Sequence, residues 1–263
     1  MAFMLSRGFI KTGLGRRIAL LFVRSFGHRS LGLAYSIMGI DLVTSPAIPS
    51  NTARAGGVVY PIVKSLAETY GSDPKKGTRK KIGSFLVFSE FHSNLITSAT
   101  FMTAMAPNLV IVALAKTLHI NITWLGWFVA GVVPSIICLL ATPYIIYKMY
   151  PPEVKETPNA KEWANEELDK MGKMKLSEKL MGLIFILTLV LWMLTSFIPA
   201  IDATFVAFLA ISLLLITGVL DTKDLLHETG AWNVLIWLSV LVYMADELSK
   251  LGFIKWFSGS IGS

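Results

Sequence analysis

The run Ser50-Asn51-Thr52 sets two hydroxyls and a carboxamide side by side, with Arg54 two positions further on and the Gly56-Gly57 pair behind it. A second polar group lies in SEFHSNLITSATFMTAMAPN, residues 89–108, which ends on Thr103, Ala104, Met105, Pro107 and Asn108. Hydroxyls, amides and exposed backbone N–H groups hold an anion without reacting with it, and a guanidinium grips a carboxylate through two parallel hydrogen bonds. The chemistry these residues suit is the binding of a carboxylate or another small oxyanion. Covalent chemistry fits less well. Ser50 or Ser93 with His92 would make a nucleophile and base for a hydrolase, but the sequence has no Gly-x-Ser-x-Gly elbow and no His-Glu-x-x-His pair.

These polar groups are embedded in an apolar chain. Of 263 residues, 54% are hydrophobic and 16% charged, against about 25% charged in an ordinary soluble domain. The mean hydropathy is +0.61. Crossing the hydrocarbon takes about 20 apolar residues as helix. WLGWFVAGVVPSIICLLATPYIIY, Trp124 to Tyr147, is long enough, as are Leu180 to Pro199 and Ala200 to Leu220, with a shorter run from Trp232 to Ala245. The expected fold class is an all-α polytopic membrane protein. Cys138, the single cysteine, excludes an intrachain disulfide and is expected as a small core residue. Trp124, Trp127 and Trp192 are expected in the interfacial belts. The net charge of +7 is not read as nucleic-acid binding, because the basic residues flank hydrophobic spans, where the positive-inside rule accounts for them. Arg7, Lys11, Arg16 and Arg17 interrupt any apolar signal-peptide core.

Charge also orients the chain. GSDPKKGTRKK, residues 71–81, is a short basic loop expected on the cytoplasmic side. Residues 1–30 would end one span and continue as an amphipathic, basic helix (13–30) in the cytoplasmic interface. The stretch 31–70 then leaves and returns on one side, as a re-entrant hairpin with its tip at Pro49-Ser50-Asn51-Thr52. Residues 82–147 would hold a helix broken around 104–108 and the following span, and 148–179 a solvated cytoplasmic connector. Three scaffold spans fill 180–249, and 250–263 begins a second interfacial helix. Irregular backbone at membrane depth is tolerated only where protein or a water-filled cavity covers it, and transporters place substrate and ion sites at such breaks. Asp41 in the first hairpin arm is read either as a functional ionisable group or as a partner for Arg54. Arg54 in turn either binds a substrate carboxylate or braces the hairpin. Glu90 and His92 are read as helix-end charges, with a proton-relay pair as the alternative.

At these residues a family likeness emerges. SNTARAGGVVYPIVKSL together with SNLITSATFMTAMAPN resembles the divalent anion:sodium symporter family, in particular its bacterial and plastid exchanger branch of citrate/succinate, tartrate/succinate and 2-oxoglutarate/malate translocators. GLGRRIAL and GAWNVLIWL extend the likeness over essentially the whole chain. The resemblance implies an inverted-repeat, elevator-type carrier of di- or tricarboxylate anions, a homodimer embedded in the lipid of a bacterial cytoplasmic membrane, and no enzyme. It implies substrate contact at Ser50, Asn51 and Thr52 and at the loop from Thr103 through Ala104, Met105 and Pro107 to Asn108; Arg54 joins this set by its own chemistry. No cofactor is implied beyond a sodium ion, whose site would fall at Ser50, Asn51 and Ala104. Many sodium-coupled members carry Gly-Thr or Gly-Ser before the Pro-Asn. Here Ala104-Met105-Ala106, with Arg54 directly after Ser-Asn-Thr-Ala, favours anion exchange without sodium.

Two alternatives stand beside this reading: sodium-coupled anion symport, and an inactive truncated remnant of such a carrier. The remnant reading rests on a faint likeness between residues 6–19 and 247–259, which makes the chain read as the middle of a longer transporter, incomplete at both ends.

Overall fold

The structure, a computed structural model, describes residues 2–198 and 201–261, and every regular element among them is a helix. The chain divides into two compact units, Met1–Asp221 and Thr222–Ser263.

In the first unit α1 (Ala2–Thr12) and α2 (Leu14–Phe26) are separated at Gly13, whose φ of +80° is a left-handed conformation that glycine adopts without steric cost. α2 turns Leu14, Ala19, Leu20 and Val23 inward and packs on α3 (Ser30–Thr44). Beyond α3 the helical path stops at Ser45 and resumes as α4 (Asn51–Arg54), a wide π-helical turn over Ala55–Val59, and α5 (Tyr60–Thr69). A second interruption separates α6 (Gly83–Thr100) from α7 (Ala106–Thr117). Then follow α8 (Trp124–Met149), α9 (Asn159–Met171), α10 (Leu176–Leu194) and α11 (Ala203–Ile216). The centre of the unit is α6, packed between α3 and α8.

Among the described residues three helical stretches are long and apolar enough to cross a membrane: Trp124–Met149, Leu176–Leu194 and, in the second unit, Thr229–Lys250. The span expected over Ala200 to Leu220 is shorter than its apolar run. Its helix has 14 residues, about 21 Å at 1.5 Å per residue against a hydrocarbon core of about 30 Å. Asp202 caps its start, and Gly218, at φ +70°, turns the chain out of it. Pro199, where the preceding run ends, and Ala200, where this one begins, lie outside the described residues.

Two expectations are corrected by burial. Cys138 is exposed, on a helix that also presents Val129, Val133, Ile137 and Leu140 outward, and an apolar face of this size is a hydrocarbon or partner surface. Trp124 and Trp192, expected in interfacial belts, are 4% and 3% exposed and stack with ring centroids 6.5 Å apart. They fill the space beside the second helix break, where the Trp124 indole N–H donates to Thr103 Oγ1 at 3.3 Å. Trp127 donates to the Ala99 carbonyl at 2.9 Å.

The segment 148–179 is a clamp as much as a connector. Its helix α9 packs on α2, burying Ala160 and Ala164. Backbone bonds fasten the segment before it: Val154 N–H to Lys81 O at 2.9 Å, Ser30 N–H to Lys155 O at 3.0 Å, and Thr157 N–H to His28 O at 2.9 Å. Arg17 forks onto Glu178 at 2.5 and 3.2 Å, and Arg16 reaches Glu167 at 2.6 Å. Arg16 and Arg17 of the expected interfacial helix are thereby paired within the protein.

The second unit is a helical path of its own. α12 (Thr222–Leu226) leads to α13 (Thr229–Asn233), which continues through a π-helical turn at Val234–Leu238 into α14 (Ser239–Lys250). Gly252, at φ +77°, makes the turn into α15 (Phe253–Ile261).

Candidate functional site

Both helix breaks fall where the sequence carries its helix-breaking residues. Pro46 and Pro49 cannot supply the N–H groups that α3 would need to continue, and the side chains of Ala47 and Ile48 are fully buried. α4 then starts with Ser50 as its cap, Oγ accepting from Ala53 N–H at 3.2 Å. The second break covers residues 101–105, slightly N-terminal to the expected 104–108. Pro107 belongs to the first turn of α7, where its missing N–H leaves no bond unmade.

A broken helix leaves carbonyls without partners, and inside a protein each must find a donor. One side chain serves both breaks. Arg54 Nη1 donates to Ile48 O at 2.9 Å, from the first break, and to Ala104 O at 3.1 Å, from the second. Its Nη2 donates to Ser98 Oγ at 2.9 Å and Thr97 Oγ1 at 3.3 Å, and its Nε donates to Asp41 Oδ1 at 2.6 Å. Asp41 also accepts from Asn94 Nδ2 at 3.0 Å and from the Thr97 hydroxyl. Two further residues fasten the same region. Thr103 Oγ1 donates to Pro46 O at 3.0 Å, joining the breaks directly. Asn108 Nδ2 donates to Ser98 O at 2.8 Å and Phe101 O at 3.1 Å, capping the C-terminal end of α6 from the start of α7.

The candidate residues therefore separate into two groups. Ser50 and Asn51 are half-buried and Thr52 is exposed. Asn51 Oδ1 accepts from Thr52 N–H at 2.9 Å, which leaves its Nδ2 donors unused among the described residues. Met105 is half-buried and Pro107 exposed. In contrast Arg54, Thr103, Ala104 and Asn108 are buried and committed to internal bonds. The guanidinium has five N–H donors, and five bonds use them. In this conformation Arg54 braces the two breaks, with every guanidinium N–H engaged inside the protein. The Ala104 carbonyl, in the loop where a sodium ion was expected, faces this guanidinium.

The open surface is thus made of neutral groups at the start of a helix: the Ser50 hydroxyl, the Asn51 amide and the Thr52 hydroxyl. Asp41 and Arg54 cancel each other's charge beneath it. An anion there is attracted by amide and hydroxyl dipoles and by the positive end of the helical rod Asn51–Thr69. The parts played by Asn94, Thr97 and Ser98 were missed in the sequence, although their spacing puts them on one face of α6. His92 takes no part. Its Nδ1 lies 2.9 Å from Phe88 O, and its ring packs edge-on against Phe88 and Phe91, all within its own helix. No cluster of three or more His, Cys, Asp or Glu side chains suited to a metal occurs among the described residues.

Comparison with known proteins accounts for this architecture. The chain matches the family model described as sodium:sulfate symporter transmembrane region over residues 1–263. It is 50% identical over 263 residues to the Bacillus subtilis protein named "Putative malate transporter YflS", covering 100% of this chain and 55% of that protein. It is 44% identical over 262 residues to dicarboxylate transporter 1, chloroplastic, of Arabidopsis thaliana, covering 99% of this chain and 47% of that protein. It is 39% identical over 257 residues to the L-tartrate/succinate antiporter of Escherichia coli, covering 97% and 52%. The chain spans about half the length of the curated relatives it matches. These relatives are transporters, not enzymes. A whole-chain match, apolar helices of membrane-crossing length and two buried helix breaks agree on one assignment: the chain belongs to the sodium:sulfate symporter transmembrane family of multi-pass membrane proteins.

Proposed function

We propose that the protein carrying this chain exchanges small dicarboxylates across a bacterial cytoplasmic membrane, with Ser50, Asn51 and Thr52 as the substrate contacts of this half. The observation that carries the reading is the pairing of two helix breaks through Arg54, with an uncharged donor surface left open beside them. Relatives named for malate, dicarboxylates and L-tartrate/succinate support a carboxylate cargo, and the antiporter among them supports exchange. Met105 and Pro107, half-buried and exposed at the second break, are kept as candidate contacts, while Thr103, Ala104, Asn108 and Arg54 hold the two breaks together. We read 31–70 as a re-entrant hairpin and the unit Met1–Asp221 as one inverted repeat's worth of hairpin and broken helix, in an elevator-type homodimer set in lipid. The identity kept along all 263 residues favours a working carrier over a decayed remnant.

Sodium is not required in this reading, because Arg54 occupies the carbonyl at which a coupling ion would bind. The test is uptake of labelled malate into proteoliposomes loaded with succinate, with the protein expressed from its full reading frame. Equal rates in sodium and potassium buffers, and none without internal succinate, are expected. Strict dependence on sodium would replace exchange by symport; no uptake of any dicarboxylate would remove the transport reading.

A further inference from the structure

One charged side chain in the core has no role in the network of Asp41 and Arg54. Glu90, on α6, is 5% exposed, and neither of its carboxyl oxygens makes a hydrogen bond among the described residues. The hydroxyls of Ser89 and Ser93 beside it are also buried and also make no hydrogen bond among the described residues. Glu90, Ser93, Asn94 and Thr97 recur at helical spacing, so one stripe of α6 leads from Glu90 to the bonds that hold Asp41. A bare carboxylate cannot persist without water, donors or a counter-charge. The charges acting on Glu90 from neighbouring elements are Asp41 of α3 and Arg54 of α4. Arg54 is already balanced by Asp41 at 2.6 Å, so an ionised Glu90 would leave the cluster with an uncompensated negative charge. Elsewhere around α6, Lys64 and Glu68 of α5 are exposed and paired with each other, and Lys148 of α8 lies over the Tyr144 ring. None of these is placed to neutralise it.

We propose that Glu90 is a proton-binding site of the transport unit, protonated in this conformation and exchanging its proton with water as the two breaks move. The step is simple: the carboxylate takes a proton from water on one side, becoming a neutral acid, and returns it on the other. A proton fits this position better than a sodium ion. Sodium sites in broken-helix carriers use carbonyls freed by unwinding, and α6 runs unbroken from Gly83 to Thr100 around Glu90. The inference rests on the transport reading for its consequence, but not for its direct test.

The direct test is infrared spectroscopy of the protein labelled with carbon-13 glutamate. A carbonyl band of a protonated glutamic acid at neutral pH, fading as the pH is raised and missing in Glu90→Gln, is expected. Absence of a pH-sensitive band from labelled wild-type protein overturns the proposal, whether or not the variant folds. The second arm is dicarboxylate exchange as a function of pH. Wild-type exchange should fall about tenfold per pH unit once Glu90 titrates, while Glu90→Gln, fixed as the neutral form, should keep only the shallower dependence due to the substrate's own titration. Identical profiles would show that the proton never leaves and would overturn its coupling to transport. If no dicarboxylate is exchanged at all, the transport reading fails, and the infrared result alone decides the proton site.

Discussion

Arg54 Nε lies 2.6 Å from Asp41 Oδ1, and both side chains are entirely buried. The pair joins the helix before the first break to the helix after it, and Arg54 extends the link to the carbonyls of both breaks. Removing one member of a buried ion pair strands the other charge and costs about 3–5 kcal/mol. Asp41→Asn and Arg54→Met should each lower stability by about that amount in detergent unfolding experiments. The double variant should lose less than the sum, because no charge is stranded, yet not recover fully, because Ile48 and Ala104 keep unpaired carbonyls. Single variants within about 1 kcal/mol of wild type would show that the pair does not brace the breaks.

The clamp formed by residues 148–179 predicts an asymmetry. Glu178 has a side chain 2% exposed and Arg17 one 12% exposed, so losing Arg17 strands the more deeply buried charge. Arg17→Met should cost about 3 kcal/mol and Glu178→Gln clearly less, since the remaining arginine can reach water. Equal losses would place the interaction at the surface.

Pro46, Pro49 and the run up to Asn108 made both helix breaks legible, because proline acts on the backbone locally. The placement of the second break shifted for a local reason too, since Pro107 opens α7 instead of ending α6. The Asp41–Arg54 pair was visible only as one of two options: thirteen positions of sequence separate the two residues, and a fold decides whether such groups meet. The clamp was not legible at all. Ala160 and Ala164 carry little hydrophobic signal, and the bonds from Ser30, Val154 and Thr157 are backbone bonds that any residue except proline could make. The same holds for the tryptophans, whose composition fits a belt or a core equally well.

Asp202 caps α11 from the position just before its first residue, with Oδ1 accepting from Thr204 N–H at 2.8 Å and Phe205 N–H at 3.2 Å. The Phe205 bond above all, with those of Thr204, holds its carboxyl below the usual carboxylate range. A lowered folded value means that the cap contributes fully above the unfolded value of about 3.9 and fades as pH falls through the folded one. Asp202→Ala should cost about 1 kcal/mol at neutral pH and speed amide exchange in the first turn of α11. Asp202→Asn should keep most of the cap and lose its response to acid. An alanine variant with wild-type exchange there would mean that the cap does not hold the turn.

Asn51 offers the sharpest separation of binding from stability. It is half-buried, its one side-chain bond is to the neighbouring Thr52 N–H, and its Nδ2 donors are unused among the described residues. Arg54, three positions on, is locked into the interior by five bonds. Truncation at Asn51 therefore leaves the brace intact, and Asn51→Ala should unfold within about 0.5 kcal/mol of wild type, as surface substitutions usually do. Transport should respond quite differently. A hydrogen bond to a charged group is worth about 1.5–3 kcal/mol, so losing it from a bound carboxylate should weaken malate binding about ten- to a hundredfold. Asn51→Asp should be at least as damaging, because it sets a carboxylate against the carboxylate of the substrate. Exchange rates and unfolding temperatures measured on the same preparations decide the matter. Asn51→Ala with wild-type exchange would move the substrate away from this tip, and a large stability loss would make Asn51 part of the scaffold instead.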